Sequence, residues 1–241
     1  MKVLAYLFLL LGLAWVVPAG AADPPLPEDR SLQVGFLAVD GVYNSELMAP
    51  YDIFHHTAFH TDPGMEVFVV SPSGEDVTTF EGLRIGAHYS FETAPPIDIL
   101  VVPSAKNSMS SDLENKSMMD WVRRVGGDAR FIVSLCDGAF VLAAAGLLDD
   151  VVSTTFPGDV AAYREKFPAL DVRGPDLANG ASFIHDGRAL TSKGGALSYD
   201  VAMYLVDHLY GSRVAAGVGR GLILDWPVDE QEYSTAKAGV K

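Results

Sequence analysis

Hydrophobic positions along the chain fall into short apolar runs separated by stretches with helical spacing. Leu32–Val39, Met65–Val70, Ile97–Val102 and Phe131–Leu135 are such runs, and read as buried strands. Between them, Glu46 to about Phe59 reads as a helix, with Leu47, Tyr51, Phe54 and Ala58 on one face and Pro50 tolerable only in the first turn. Ser111–Val125 reads as another, with Asp112 and Glu114 at its start and Arg123-Arg124 at its end, matching the helix dipole. Further helices are expected over Ala139–Leu148, Gly158–Phe167 and Ala196–Tyr210, and a short strand over Val151–Thr155. Val77–Phe91 is polar and glycine-punctuated, which predicts a small hairpin, and Ser182–Ser192 predicts two strands around Asp186-Gly187. Strands alternating with helices give an α/β fold: a mostly parallel central sheet covered by helices on both faces, with right-handed connections, plus the small β-hairpin.

The first residues follow a different pattern. Lys2 is the only charge before Asp23, and Val3–Val17 is a continuous Leu-rich apolar run, short for a membrane span. Ala19 and Ala21 then form an A-x-A cleavage pattern, so residues 1–22 read as a secretory signal peptide; an uncleaved anchor helix is the competing reading. Residues 23–31 are a proline-rich flexible lead-in, 32–225 a single α/β domain, and 226–241 a polar, loosely held tail. The mature protein is expected to be secreted or periplasmic, with no stable membrane anchor after cleavage.

At 241 residues and 49% hydrophobic, the chain can bury one sizeable core. Its formal net charge of −14 argues against nucleic acid or anionic membrane as partners. One cysteine permits no intramolecular disulfide and no cysteine-based zinc site. No metal or cofactor is expected.

That cysteine stands where chemistry is expected. An apolar β-branched run ends at Ser134-Leu135-Cys136, the turn-capable pair Asp137-Gly138 follows, and an Ala/Leu-rich helix comes next. Strand, cysteine, turn and helix have the layout of a nucleophile elbow, which puts the side chain at the carboxyl end of a strand, where open α/β sheets bind ligands. A helix amino-terminus aimed at sulfur would lower the thiol pKa. The other reading is a buried structural cysteine.

Several segments in order resemble the ThiJ/PfpI family of the class I glutamine amidotransferase-like superfamily. Asp40-Gly41 through Ser45-Glu46-Leu47-Met48-Ala49-Pro50-Tyr51-Asp52-Ile53-Phe54 resembles the family's acid-bearing loop and first helix. Ile97–Pro103 resembles its proline-ended strand, Ser134–Leu148 its elbow, and Thr154-Thr155 and Thr191–Gly195 later landmarks. The spacing is closest to the branch holding isonitrile hydratases and the ligand domains of AraC-type regulators. The resemblance implies a flavodoxin-like fold. It also implies Cys136 as nucleophile, Glu46 as the acid beside it, and the N–H groups of Ala105 and Asp137 as oxyanion donors. A carboxyl beside a thiolate would have a raised pKa and could hydrogen-bond the sulfur or deliver a proton; alternatively Glu46 merely suits a helix dipole. Many family members are dimers, so a homodimer stays open, and a small-molecule substrate or ligand is the expected partner.

Three departures stand out. Ser104-Ala105 replaces the family's glycine pair, and Ala105 would be strained if that backbone needs a positive φ. Phe156-Pro157 follows Thr154-Thr155 where a histidine often stands. Asp137 follows the cysteine directly, where it would either raise the thiol pKa by like-charge repulsion or cap the helix with Gly138 in its first turn. Elsewhere, His56 and His60 have i, i+4 spacing that suits a metal or a solvated face, and His185 sits beside a hairpin turn or partners the cysteine. Gly217-Val218-Gly219-Arg220-Gly221 reads as a loop. The expected function is a cysteine-dependent hydro-lyase or hydrolase acting on a small electrophile such as an isonitrile, an aldehyde or an amide. Catalytic residues would be Cys136, Glu46 and Asp137, with Ser104, Ala105 and Gly138 around the substrate. The alternatives are a non-catalytic ligand-binding or cysteine redox-sensing module, and a structural α/β domain.

Overall fold

The structure is a computed structural model and describes residues 26–27, 29–174, 177, 180–226 and 234–235. Four apolar runs form the centre of an eight-stranded sheet: β1 (Leu32–Leu37), β2 (Met65–Ser71), β6 (Ile99–Val102) and β7 (Phe131–Leu135). The remaining strands of this sheet are β5 (Tyr89–Ser90), β10 (Phe183–Asp186), β11 (Ala189–Ser192) and β12 (Ser234–Thr235), in the order β12-β10-β11-β7-β6-β1-β2-β5. All pairings in it are parallel except β10 with β11, which are the two antiparallel strands expected around Asp186-Gly187. The expected small hairpin is β3 (Val77–Thr78) with β4 (Arg84–Ile85), and β8 (Val152–Ser153) pairs with β9 (Asp171–Val172).

Side chains alternate across the strands, so one sheet feeds two cores. Phe131, Val133 and Leu135 join a core under α1 (Asn44–His56), α5 (Ser198–Tyr210) and α6 (Ser212–Leu222), while Ile132 joins the core under α2 (Lys116–Asp128), α3 (Gly138–Ala144) and α4 (Val160–Lys166). Near-continuous apolar runs are what a parallel sheet buried on both faces requires.

Several boundaries moved for local reasons. The helix expected over Ser111–Val125 splits into a 3-10 turn at Ser111–Glu114 and α2. The Asn115 side chain accepts the Met118 N–H at 3.1 Å, so α2 is capped there. Pro50 does lie in the first two turns of α1, and the segment expected to be helical to Phe59 ends in a 3-10 turn over Thr57–Phe59.

The glycine-rich Gly217–Gly221 segment is not a loop but part of α6. Its glycines let the helix approach α1: a Cβ would lie 2.6 Å from His60 Nδ1 at Gly217, and 2.4 Å from His56 Nε2 at Gly221. Tertiary packing overrides the helix cost of glycine, about 1 kcal/mol per residue. The same contacts place His56 and His60 against α6, their rings 5.8 Å apart, and no group of three potential metal ligands forms among the described residues.

At the sheet's lower edge, Arg30 forks onto Asp98 at 2.5 and 2.8 Å, and Asp98 also accepts the Gln33 N–H at 2.8 Å. Burial alone would raise the Asp98 pKa, but these bonds and the Arg30 charge outweigh it and hold the carboxyl below its usual range. A depressed carboxyl stabilises the fold above its unfolded pKa, and that contribution is lost as pH falls through the folded value. Arg30 is half exposed, so Arg30→Ala is expected to cost only about 1 kcal/mol or less at pH 7. Thermal unfolding at pH 7 and at pH 2.5 checks it: the gap between the two proteins should close at the lower pH.

Residues 1–22 lie outside the described residues, as does most of 226–241. Within that tail Trp226 is tied down, its indole N–H donating to Asp207 at 3.2 Å, and Ser234–Thr235 extend the sheet beside β10. Among the described residues no helix is long and apolar enough to cross a membrane.

Candidate active site

Three strands end side by side at the carboxyl edge of the sheet. β6 runs through Pro103 to Ser104, β7 runs into Cys136, and β11 runs into Gly194-Gly195. Cys136 has φ 54°, a left-handed backbone that costs a non-glycine residue about 1–3 kcal/mol. Its surroundings hold it there. The Cys136 N–H donates to the Ser192 carbonyl at 3.0 Å, and its carbonyl accepts the Thr155 hydroxyl at 3.0 Å. Gly194 presses on it so closely that a Cβ would lie 2.3 Å from Cys136 Cβ. Gly138 performs a packing task rather than a substrate-facing one: a Cβ there would lie 2.0 Å from the Val102 carbonyl, so only glycine lets α3 start against β6.

Glu46, in the first turn of α1, is 4% exposed and points at the cysteine. Its Oε2 accepts the Ser104 N–H at 2.9 Å and its Oε1 accepts the Gly195 N–H at 3.2 Å. The thiol is a further hydrogen-bond partner of the carboxyl. Burial raises the Glu46 pKa more than these bonds lower it. The bonds to two loops and the thiol exceed what a carboxylate placed only for a helix dipole would make.

The electrostatics of the thiol run opposite to the sequence expectation. Burial, then the charges of Glu46 and Asp137, push the Cys136 thiol well above its ordinary value, while the Asp137 N–H and the Ser104 hydroxyl pull weakly the other way. The short α3 does not overcome desolvation beside two acids. The resting group is therefore a thiol.

Two further expectations are corrected. Ala105 is not a free oxyanion donor: its N–H donates to Ser108 Oγ at 2.8 Å, inside the turn that follows β6. Nor is Ala105 strained, because Cys136 and Ile223 are the only non-glycine residues with positive φ among those described. Ser104 instead presents its hydroxyl to the sulfur.

Asp137 occupies the N-cap position of α3 yet makes no capping bond. Its Oδ1 accepts the Thr155 hydroxyl at 2.9 Å and its carboxyl lies against that of Asp159. Burial, then the Asp159 carboxyl, push the Asp137 pKa up to about 6, against the opposing Thr155 bond. His185 does not reach the cysteine; its nitrogens pair with the Tyr204 hydroxyl and the Gly187 carbonyl, both at 2.8 Å. Tyr43 stands over the site, its hydroxyl sensing the charges of Cys136, Glu46 and Asp137, and its ring packs on Phe80 at 4.6 Å.

Comparison with known proteins agrees with this arrangement. The DJ-1/PfpI family pattern matches residues 32–207, most of the described chain. The chain belongs to the DJ-1/PfpI family. An isonitrile hydratase of Pseudomonas putida is 29% identical over 181 residues, covering 75% of this chain and 73% of that one. The transcriptional regulator CdhR of Pseudomonas aeruginosa is 26% identical, over 65% of this chain and 44% of its own length, so the chain spans under half of that relative. A ThiJ/PfpI protein of Pseudomonas syringae shares the fold with a TM-score of 0.71 at 22% identity, covering 87% of this chain and 84% of that one. The DJ-1/PfpI fold supports small-molecule chemistry at the carboxyl edge of its sheet.

Within that family frame, the structure brings Cys136, Glu46, Ser104 and Asp137 together. Sequence reasoning did not single out Gly194, Gly195 or Asp159. The glycines had a signal, two adjacent residues free of Cβ after a strand; Asp159 had none, because its proximity to Asp137 depends on where α4 packs.

Proposed function

We propose that this protein is an exported, cysteine-dependent hydro-lyase acting on a small neutral electrophile, with an isonitrile as the favoured substrate. The observation that carries the reading is the Cys136 thiol set against the buried Glu46 carboxyl, itself fixed by the Ser104 and Gly195 N–H groups. Export rests on the Leu-rich run and A-x-A pattern at the amino-terminus.

The chemistry of an isonitrile suits these residues. Its terminal carbon accepts both a nucleophile and a proton. As Cys136 sulfur bonds to that carbon, Glu46 takes the thiol proton and passes it to the same carbon, leaving an imidothioate, R–N=CH–S–Cys. Water then adds to the C=N carbon, with Glu46 accepting its proton and the nitrogen gaining one. Collapse breaks the C–S bond, returns a proton to sulfur and releases the formamide R–NH–CHO. Isonitrile plus water gives formamide, with no oxidant and no net proton.

Attack on an amide or ester would instead build charge on oxygen and need a two-amide oxyanion hole. The Ala105 N–H is engaged by Ser108, which favours the isonitrile over the carbonyl substrates. A raised thiol also disfavours redox sensing, since a thiolate is the form that peroxide oxidises. The Glu46, Asp137 and Asp159 carboxyls favour neutral over anionic substrates.

Mature protein incubated with a neutral alkyl isonitrile is expected to form the N-alkyl formamide, followed by proton NMR. Glu46→Gln, which cannot carry the proton, is expected to lower kcat about 10²–10⁴-fold. Full turnover by Glu46→Gln would overturn the assigned role, and no formamide from the native protein would overturn the substrate.

A further inference from the structure

Two aspartates in this structure hold helix N-cap positions and cap nothing. Asp137 precedes α3 and Asp159 precedes α4, and neither side chain makes a capping bond. Aspartate is among the preferred N-cap residues, and a cap contributes typically about 1 kcal/mol, so both helices forgo a stabilising contact. The two carboxyls meet each other instead. Asp159 is fixed in the turn after Phe156, its N–H donating to the Phe156 carbonyl at 3.0 Å.

The donor count around them is short. Thr155 is fully buried and has one hydroxyl hydrogen, with the Cys136 carbonyl at 3.0 Å and Asp137 Oδ1 at 2.9 Å both positioned to accept it. Asp159 adds acceptor oxygens on another side of Asp137. With both carboxyls ionised, two negative groups would touch and a single hydrogen would serve every acceptor. One added proton removes the conflict: the carboxyls share it, and the Thr155 hydrogen serves the remaining oxygens.

We propose that Asp137 and Asp159 hold one proton between them, and that Asp159 is a positioning residue that keeps a neutral acid, rather than a carboxylate, beside Cys136. Asp137 sits one residue from the sulfur, and its charge is one of those that raise the thiol. Ionisation of the pair therefore couples to thiol reactivity. The groups facing Asp137 are Asp159 from the turn before α4, Glu46 from α1, Tyr43 from the loop before α1, Thr155 from the segment after β8 and Cys136 itself. The proton-sharing stands on the pair alone, whereas its catalytic consequence rests on the hydro-lyase reading above.

The sign follows from the raised Asp137 value of about 6. Below it the pair keeps its proton; above it the second charge appears and opposes thiolate formation. A plot of log alkylation rate against pH should rise with unit slope, flatten near pH 6, then rise again.

The test is side-chain carbon NMR of aspartate-labelled protein beside the pH profile of Cys136 alkylation by iodoacetamide, in native protein, Asp159→Asn, Thr155→Val and Asp137→Asn. In the native protein the Asp137 carboxyl is expected to titrate near 6. Asp159→Asn should move that midpoint down by at least one unit, toward the ordinary aspartate value of about 4. Thr155→Val should move it up, because the hydroxyl favours the charged form. The flattening in the alkylation profile should move with each midpoint and vanish in Asp137→Asn, which should react about tenfold faster at pH 8. Asp159→Glu should restore most of the native midpoint.

A native Asp137 midpoint near 4, or one indifferent to Asp159→Asn and Thr155→Val, would overturn the shared proton. An alkylation profile that ignores a moving midpoint would overturn the coupling to Cys136. Neither readout uses a substrate, so failure to hydrate isonitriles and failure of the carboxyl pair are separate results.

Discussion

Cys136→Ser is expected to abolish turnover while leaving the fold intact. In the proposed reaction every covalent step runs through the sulfur, and a serine hydroxyl is a far weaker nucleophile than a thiol at this position. The expected loss in kcat is roughly 10³-fold or more, about 4 kcal/mol of transition-state stabilisation. The replacement is nearly isosteric, and the bonds that hold the backbone at φ 54°, from the Cys136 N–H to Ser192 and from Thr155 to its carbonyl, are untouched. Far-UV circular dichroism and thermal unfolding should therefore match the native protein, with formamide formation as the discriminating readout. Full turnover by Cys136→Ser would leave a ligand-binding scaffold as the better reading.

Gly194→Ala is expected to be the most destabilising small substitution near the site. Gly194 has φ 78° and ψ −162°, a region essentially confined to glycine. A Cβ there would also lie 2.3 Å from Cys136 Cβ and 2.7 Å from Cys136 N, atoms of a fixed backbone rather than the end of a flexible chain. Strain and overlap together imply a loss of about 3–5 kcal/mol, which for a chain of this size is a fall in Tm of roughly 8–15 °C. The neighbouring Gly195→Ala supplies the control. Gly195 has φ 59°, and a Cβ there would meet nothing within 4 Å, so its cost should stay near 1 kcal/mol. Equal losses at the two positions would show that Gly194 does not press on Cys136 as described.

Both expectations come from one construction: strand ends meeting under a strained cysteine. Gly194 and Gly195 divide the work between them. The first gives way to the cysteine backbone, and the second delivers its N–H to Glu46. The segment Thr191–Gly195 was legible in the sequence as a landmark, but the division of labour was not.

The sequence by itself determined the α/β class, the central parallel strands and the placement of Cys136 between a strand and a helix. Those features are local. Apolar runs of strand length, helical spacing and turn residues write themselves into consecutive positions, and a parallel sheet buried on both faces makes its strands conspicuous. It also singled out Glu46 and Ser104 through the family resemblance.

Tertiary structure alone decided the rest. The glycine-rich stretch became α6 because His56 and His60 on another element leave room only for glycine. Helix propensity without that contact points to a loop. Ala105 lost its free N–H to Ser108, three residues on, through a turn that no pattern marks. The thiol rose rather than fell, because its pKa depends on how deeply it is buried and which acids face it, and both are properties of the packed molecule. Asp159 is 22 positions from Asp137, and nothing in the intervening residues tells that two N-cap aspartates abandon their helices for each other. Local chemistry is written along the chain; proton affinities are set by neighbours that only folding brings together.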